Sequence, residues 1–172
     1  AITPNGSTPA AGGAAGSDME GLAVAPGFID AHTHDDRIVL DAIVDADSLL
    51  PWGERYGASV ICALARLEGE PVGVVASQPM QRGAVMDVPA LTKEAEFIDL
   101  CDSFNIPLIF LADTPGLLVG AESEKRRLPG KIMNFMNALS LVTVPKLSVV
   151  LRKSYGQAYL NMGGGRNSDE MA

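Results

Sequence analysis

Two stretches of this chain place residue types in an order that suits anion chemistry. Ile106-Pro-Leu-Ile-Phe-Leu-Ala-Asp-Thr-Pro-Gly116 and Val144-Pro-Lys-Leu-Ser-Val-Val-Leu-Arg-Lys-Ser-Tyr-Gly-Gln-Ala158 share one plan. Each starts at a proline, continues as an apolar strand suited to burial and finishes in a polar, glycine-containing turn. Such turns leave backbone N–H groups free to meet an anion. An enzyme that stabilises an enolate or oxyanion with main-chain donors needs this arrangement. A third stretch, Gly21 to Arg37, carries His32 and His34, the only histidines of the chain. Alternate positions of a strand put both imidazoles on one side, where they can share a metal.

The whole chain limits what these residues can serve. Its 172 residues, 47% hydrophobic and 20% charged, suffice for one core and read as a single soluble domain. The formal charge of −8 argues against a nucleic-acid partner, because neutralising phosphates needs a basic face and none is visible. Lys125, Arg126 and Arg127 make a short basic run, and such a run is usually a solvated face. Cys62 and Cys101 lack metal-like spacing and sit in apolar or helical patterns, so buried free thiols and a cytoplasmic location are expected. No apolar run reaches membrane-spanning length, and the first residues lack the basic and apolar regions of a signal peptide.

The elements that would position the two turns follow from periodicity. Ala1 to Gly21 is dominated by Ala, Gly, Ser, Thr and Pro, too little apolar surface to offset ordering entropy, so a flexible arm is expected. Val60–Arg66 and Val72–Ala76 read as short strands joined by a turn over Leu67–Pro71 and paired antiparallel. Ala90–Phe104 reads as a helix with Leu91, Ala95, Ile98, Leu100 and Cys101 inward and Lys93, Glu94, Glu96 and Asp102 towards water. Pro107 precedes a strand over Leu108–Ala112. A second helix is expected from Glu122 to Leu141, interrupted near Pro129 and Gly130. Lys146–Leu151 is the next strand, and Tyr155–Met162 begins a third helix. This is the pattern of layered α/β units. Taken alone, Asp113–Gly116 is a simple turn, Gly156 a hinge, and Arg152 with Lys153 a solvated pair.

Five separated pieces stand in a telling order: Ile43-Val-Asp45, Ala65 to Pro79, Phe97 to Pro107, Asp113 to Glu122, and Val144 to Tyr159. With these in register, the segment from about Ala42 to Met171 resembles the C-terminal half of the carboxyltransferase (β) subunit of biotin-dependent acyl-CoA carboxylases such as propionyl-CoA carboxylase, and of related decarboxylases. The resemblance implies an α/β fold of the crotonase (ClpP-like) type, with repeated ββα units. Residues 42–172 would form a partial carboxyltransferase domain, and residues 1–41 a flexible or foreign segment. It also implies carboxyl transfer between biotin, held on a biotin carboxyl carrier protein, and the α-carbon of an acyl-CoA, a coenzyme A thioester. Enolate-like states on both sides of that transfer need donors aimed at their oxygens.

The implied positions are specific. The backbone amides of Gln157 and Ala158 correspond to the biotin-side oxyanion hole, with Gly156 giving the sharp turn. Gly116 and Gly120 correspond to residues that let the biotin ring approach the backbone closely. No metal enters this reading. Arg126-Arg-Leu-Pro-Gly-Lys131 departs from the family's common glycine pair and Arg-His-Gly, Gln157 stands for a common glycine, and Leu160 for an often polar residue. In the family a complete site lies between halves of different subunits. This chain would then supply one wall and form a homo-oligomer, at least a dimer, its strands such as Val72–Ala76 otherwise exposing edges.

Gly21 to Arg37 separately resembles the first barrel strand of the amidohydrolase superfamily, most closely the D-aminoacylases. That resemblance implies metal-dependent N-acyl-D-amino-acid hydrolysis through His32 and His34. Such a site also needs later histidines, an acid and a bridging Cys, Glu or carboxylated Lys, and no further histidine exists in the chain. Asp30, Asp35 or Asp36 would help hold only adventitious zinc. The two resemblances together give a third reading: a chimeric fragment, joined between Arg37 and Ala42, that folds and self-associates without turnover.

Overall fold

The computed structural model describes residues 36–164 and 169–171. Along them run α1 (Asp36–Ile43), β1 (Leu50–Trp52), β2 (Val60–Leu67), β3 (Glu70–Ser77), a 3-10 turn (Arg82–Ala84), α2 (Val88–Ser103), β4 (Leu108–Thr114), α3 (Ala121–Lys125), α4 (Leu128–Leu141), β5 (Lys146–Ser154), α5 (Gly156–Asn161) and β6 (Glu170–Met171). These elements belong to one compact unit, Asp35–Ala172. The expected arm over 1–21 and the histidines His32 and His34 lie outside the described residues.

The strands form one six-stranded sheet in sequence order, β1 to β6. β1, β2 and β3 pair antiparallel, and β3, β4, β5 and β6 pair parallel. The hairpin between β2 and β3 forms because Glu68 and Gly69 both take positive φ, 52° and 86°, which matches the twist of paired strands. Asp45 fastens it, accepting hydrogen bonds from the amides of Glu68 at 2.9 Å and Gly69 at 2.7 Å. The expectation that Val72–Ala76 leaves an exposed edge is wrong. β3 pairs with β2 on one side and β4 on the other, and the sheet edges fall instead on the very short β1 and β6, which blunts them.

Helix α2 begins where Asp87 accepts a hydrogen bond from the Ala90 amide at 3.0 Å, with Pro89 in its first turn. It ends before Asn105, whose φ of 54° leaves the helical region. Its core-facing stripe is Ala90, Leu91, Glu94, Phe97, Ile98 and Cys101. Lys93 and Glu94 are therefore buried, not turned to water as their charges suggest: position 94 lies on the same helical face as 90, 91, 97 and 98. Lys93 Nζ donates to the Val60 carbonyl at 2.9 Å, and burial lowers its pKa. Both carboxyl oxygens of Glu94 are buried without a hydrogen-bond partner, and burial raises its pKa well above the usual carboxylate range.

The break in the next helical stretch falls at Arg126 and Arg127, before the expected interruption. Arg127 has φ of 58°, and Pro129 lies in the first turn of α4. Proline lacks an N–H that this turn would leave unpaired in any case, so it starts a helix here instead of breaking one. The main core lies on the face covered by α2 and α4 and includes Phe97, Phe110 and Phe135. A smaller cluster on Leu40, Val44, Val72, Val74 and Leu111 gathers α1 onto β2, β3 and β4. Cys62 and Cys101 are free and buried, as expected. Gly73 on β3 admits the Cys101 thiol: a Cβ there would stand 2.5 Å from Sγ. No helix of the described residues is long and apolar enough to cross a membrane.

Candidate functional site

Because β3, β4 and β5 run parallel, their C-terminal ends at Ser77, Thr114 and Ser154 gather at one end of the sheet. Open α/β sheets bind ligands outside the carboxyl ends of their strands. The bends after β4 and β5, which hold the sequence-derived candidates, both lie there. They differ in how their polar groups are used.

The first bend, Pro115 to Gly120, is held by the segment before α2. Thr114 is fully buried, and its Oγ1 donates to the Ala84 carbonyl at 2.7 Å. The Gly116 amide donates to Thr114 Oγ1 at 3.3 Å. The Gly116 carbonyl accepts from the Met86 amide at 3.0 Å, and the Leu118 amide donates to the Met86 carbonyl at 2.8 Å. Gly116 and Gly120 have φ of 137° and 133°, and a Cβ on either would meet nothing within 4 Å. Glycine is required there by the backbone, and the space beyond it is open.

The second bend turns β5 into α5 through Gly156, at φ of 58°. Tyr155 precedes the helix in extended conformation, and no side chain caps it. First-turn amides of a helix have no intrahelical acceptor, and those of Gln157 and Ala158 occupy that position. Gln157 is exposed, whereas Ala158 is buried in the main core. The Gln157 side chain donates to Asn161 Oδ1 at 3.3 Å. Ser154 Oγ and Asn161 Nδ2, on either side of the bend, are buried with no hydrogen-bond partner. A Cβ on Gly156 would also meet nothing within 4 Å.

Between the bends lies a group whose role the sequence reading did not find. Asp113, 7% exposed, accepts from the Lys153 amide at 3.1 Å, from Arg152 Nε at 3.3 and 3.2 Å, and pairs with Arg152 Nη2 at 3.0 Å. Its own amide donates to Ser77 Oγ at 3.0 Å. Arg152 and Lys153 are thus not a simple solvated pair. The available signal was an acidic residue at the end of an apolar strand, Leu111-Ala-Asp113, where burial demands a cationic or N–H partner. Lys125, Arg126 and Arg127 are exposed, as a solvated run should be. A cleft of about 160 Å³ between β1, β2 and α2 is lined by residues including Trp52, Cys62, Gln78 and Lys93, none of which belongs to either bend. Among the described residues no cluster of three or more His, Cys, Asp or Glu side chains is placed to hold a metal.

The model of the carboxyl transferase domain family matches residues 20–172. The chain is 43% identical over 129 residues to the methylmalonyl-CoA carboxyltransferase 12S subunit of Propionibacterium freudenreichii subsp. shermanii, covering 75% of this chain and 25% of that protein. It is 38% identical over 130 residues to the propionyl-CoA carboxylase beta chain of Saccharopolyspora erythraea, covering 76% of this chain and 24% of the relative. A solved structure of transcarboxylase 12S, a hexamer assembly with hydrolysed methylmalonyl-CoA bound, superposes with a TM-score of 0.77 at 40% identity, over 80% of this chain and 27% of that one. The chain therefore spans about a quarter of the length of these relatives. The family match takes in 21–37, and these comparisons do not carry the D-aminoacylase resemblance of that segment. The crotonase-like α/β fold expected from the sequence is the fold found. By sequence and by fold, the chain belongs to the carboxyl transferase domain family.

Proposed function

We propose that this chain is part of a biotin-dependent acyl-CoA carboxyltransferase, in which the bend after β5 stabilises negative charge on an enolate or ureido oxygen. The observation that carries this reading is the uncapped first turn of α5, opened by a left-handed Gly156 at the same end of the sheet as the equally open Gly116 and Gly120. All three glycines face space that a Cβ would enter unopposed, which leaves the backbone open to the approach of a ring. Biotin, on a carrier protein, supplies the ureido group that carries CO2. The chain's own part is to orient and to stabilise charge: the amides of Gln157 and Ala158 are donors, and Gly116 and Gly120 let the ring lie close to the backbone. Main-chain donors of this kind are fixed before the reaction and need no reorganisation as charge develops.

The relatives' names support a coenzyme A thioester as the second substrate and dependence on biotin, and a biotin carboxyl carrier protein is the partner this reading calls for. The hexamer of the transcarboxylase 12S structure supports a homo-oligomer. Residues 42–172 are read as the carboxyltransferase part of the chain, and the family match and the packing of Leu40 extend that part towards the N-terminus, beyond the boundary expected at 41. The free thiols accord with a reducing, cytoplasmic setting.

The test is free-biotin-dependent decarboxylation of malonyl-CoA or methylmalonyl-CoA, followed as CO2 release. Turnover by the chain that falls in Gly156→Val supports the reading. No biotin-dependent turnover, or turnover indifferent to Gly156→Val, overturns it.

A further inference from the structure

β4 and β5 do not stay in one register. From Leu108↔Lys146 to Ala112↔Val150 they pair residue for residue, but the next pair is Thr114↔Ser154. One residue of β4, Asp113, thus lies against three of β5, Leu151 to Lys153, and β5 bulges. A bulge leaves ladder amides without their usual acceptor. Here the Asp113 carboxylate replaces that acceptor for Lys153 and grips Arg152 from the same position.

The bulge has a geometric consequence. With the earlier register continued, Thr114 would face Arg152. With the bulge, Thr114 faces Ser154, and the two bend glycines, Gly116 and Gly156, each lie two residues past this last pair. The β5 bend is drawn level with the β4 bend.

We propose that Asp113 is a positioning residue: by holding the β5 bulge through Lys153 N–H and Arg152, it sets the Gly116 and Gly156 bends side by side. The proposal rests on the functional reading above for what the bends do, but not for how they are placed. The Asp113 carboxylate bonds to Lys153 and Arg152 and to neither glycine, so it acts through β5. The amide of Asp113, tied to Ser77 Oγ, fixes the carboxylate relative to β3 as well. An ion pair alone would tolerate exchange for any opposite charge, whereas a carboxylate that also serves a ladder amide requires this length and shape.

The test follows amides in the intact chain by ¹⁵N-resolved NMR with hydrogen exchange. In Asp113→Ala the Lys153 amide should exchange at least tenfold faster, and the resonances of both Gly116 and Gly156 should move, with Gly73 in the sheet interior unmoved. Asp113→Asn, which keeps one acceptor oxygen, should recover most of the Lys153 protection. If Asp113→Ala does not fold, Asp113→Asn and Arg152→Lys carry the same comparison through smaller shifts. Faster exchange at Lys153 with both glycine resonances in place would overturn the proposal, leaving Asp113 as a local cap. Biotin-dependent turnover is measured alongside, and a fall in kcat larger than any change in KM is expected. An inactive wild-type chain would overturn the functional reading while the glycine resonances still decide the positioning.

Discussion

The two bends at the end of the sheet are built from similar residues and are used differently. After β4, the backbone groups of Gly116 and Leu118 are engaged by Met86, and Thr114 is locked to Ala84. After β5, the chain enters α5 with no side-chain cap. The first bend is a frame, fastened on several sides. Under the proposed function, the second is the one whose donors meet the ligand. A glycine-rich turn is thus informative only once its hydrogen bonds are traced.

The sharpest way to break this contrast is to remove a donor. Gln157→Pro deletes the amide hydrogen in the first turn of α5 and with it the side-chain hydrogen bond to Asn161, so Gln157→Leu, which loses that side-chain bond but keeps the amide, is its control. Relative to Gln157→Leu, biotin-dependent turnover should drop about 100- to 1,000-fold, as for other lost oxyanion donors, with a smaller loss of stability. A loss of stability equal to the loss of turnover would mean that the amide serves the fold.

Thr114→Val tests the other side. It leaves the buried Ala84 carbonyl without its donor, at a cost of about 1–3 kcal/mol. Chemical denaturation should show this loss, and proton exchange at Leu118 should rise more than exchange at any residue of α5. Equal loosening at both bends would erase the distinction between them.

The smallest effect is expected far from both, at Glu94. Burial holds its carboxyl protonated in the folded state where the unfolded chain has lost the proton. Stability from this proton is fully present below the unfolded value of about 4.3 and is lost as pH rises towards the folded value. The thermal midpoint should therefore decline with rising pH above that point, and Glu94→Gln should flatten the decline without changing the relation between the bends. A pH dependence that survives the substitution would assign it to another group.

Much of this architecture is visible in local patterns. Leu67-Glu-Gly-Glu-Pro71 between two apolar runs specifies a tight hairpin, and Pro107 and Pro145 mark where parallel strands begin. The α2 stripe is visible in its period but not in which charged residues it swallows. Lys93 and Glu94 obey the helix geometry, and their burial is decided by how α2 docks on β2 and β3. Strand order is equally non-local, so the interior place of β3 could not be read from Val72–Ala76. The glycines of both bends were legible, because positive φ singles out their residue type. Asp113 was not, because its partners lie about forty residues away across a register change.

The two thiols lead to one last consequence. Cys101 is fully enclosed beside Gly73, its pKa pushed up to about 12 by burial, and burial pushes Cys62 up too. Thiolate is the reactive form, so alkylating reagents should find neither sulfur until α2 lifts from the sheet. The pace of labelling at Cys101 then serves as a clock for how often this molecule breathes, written into it by the single atom that Gly73 lacks.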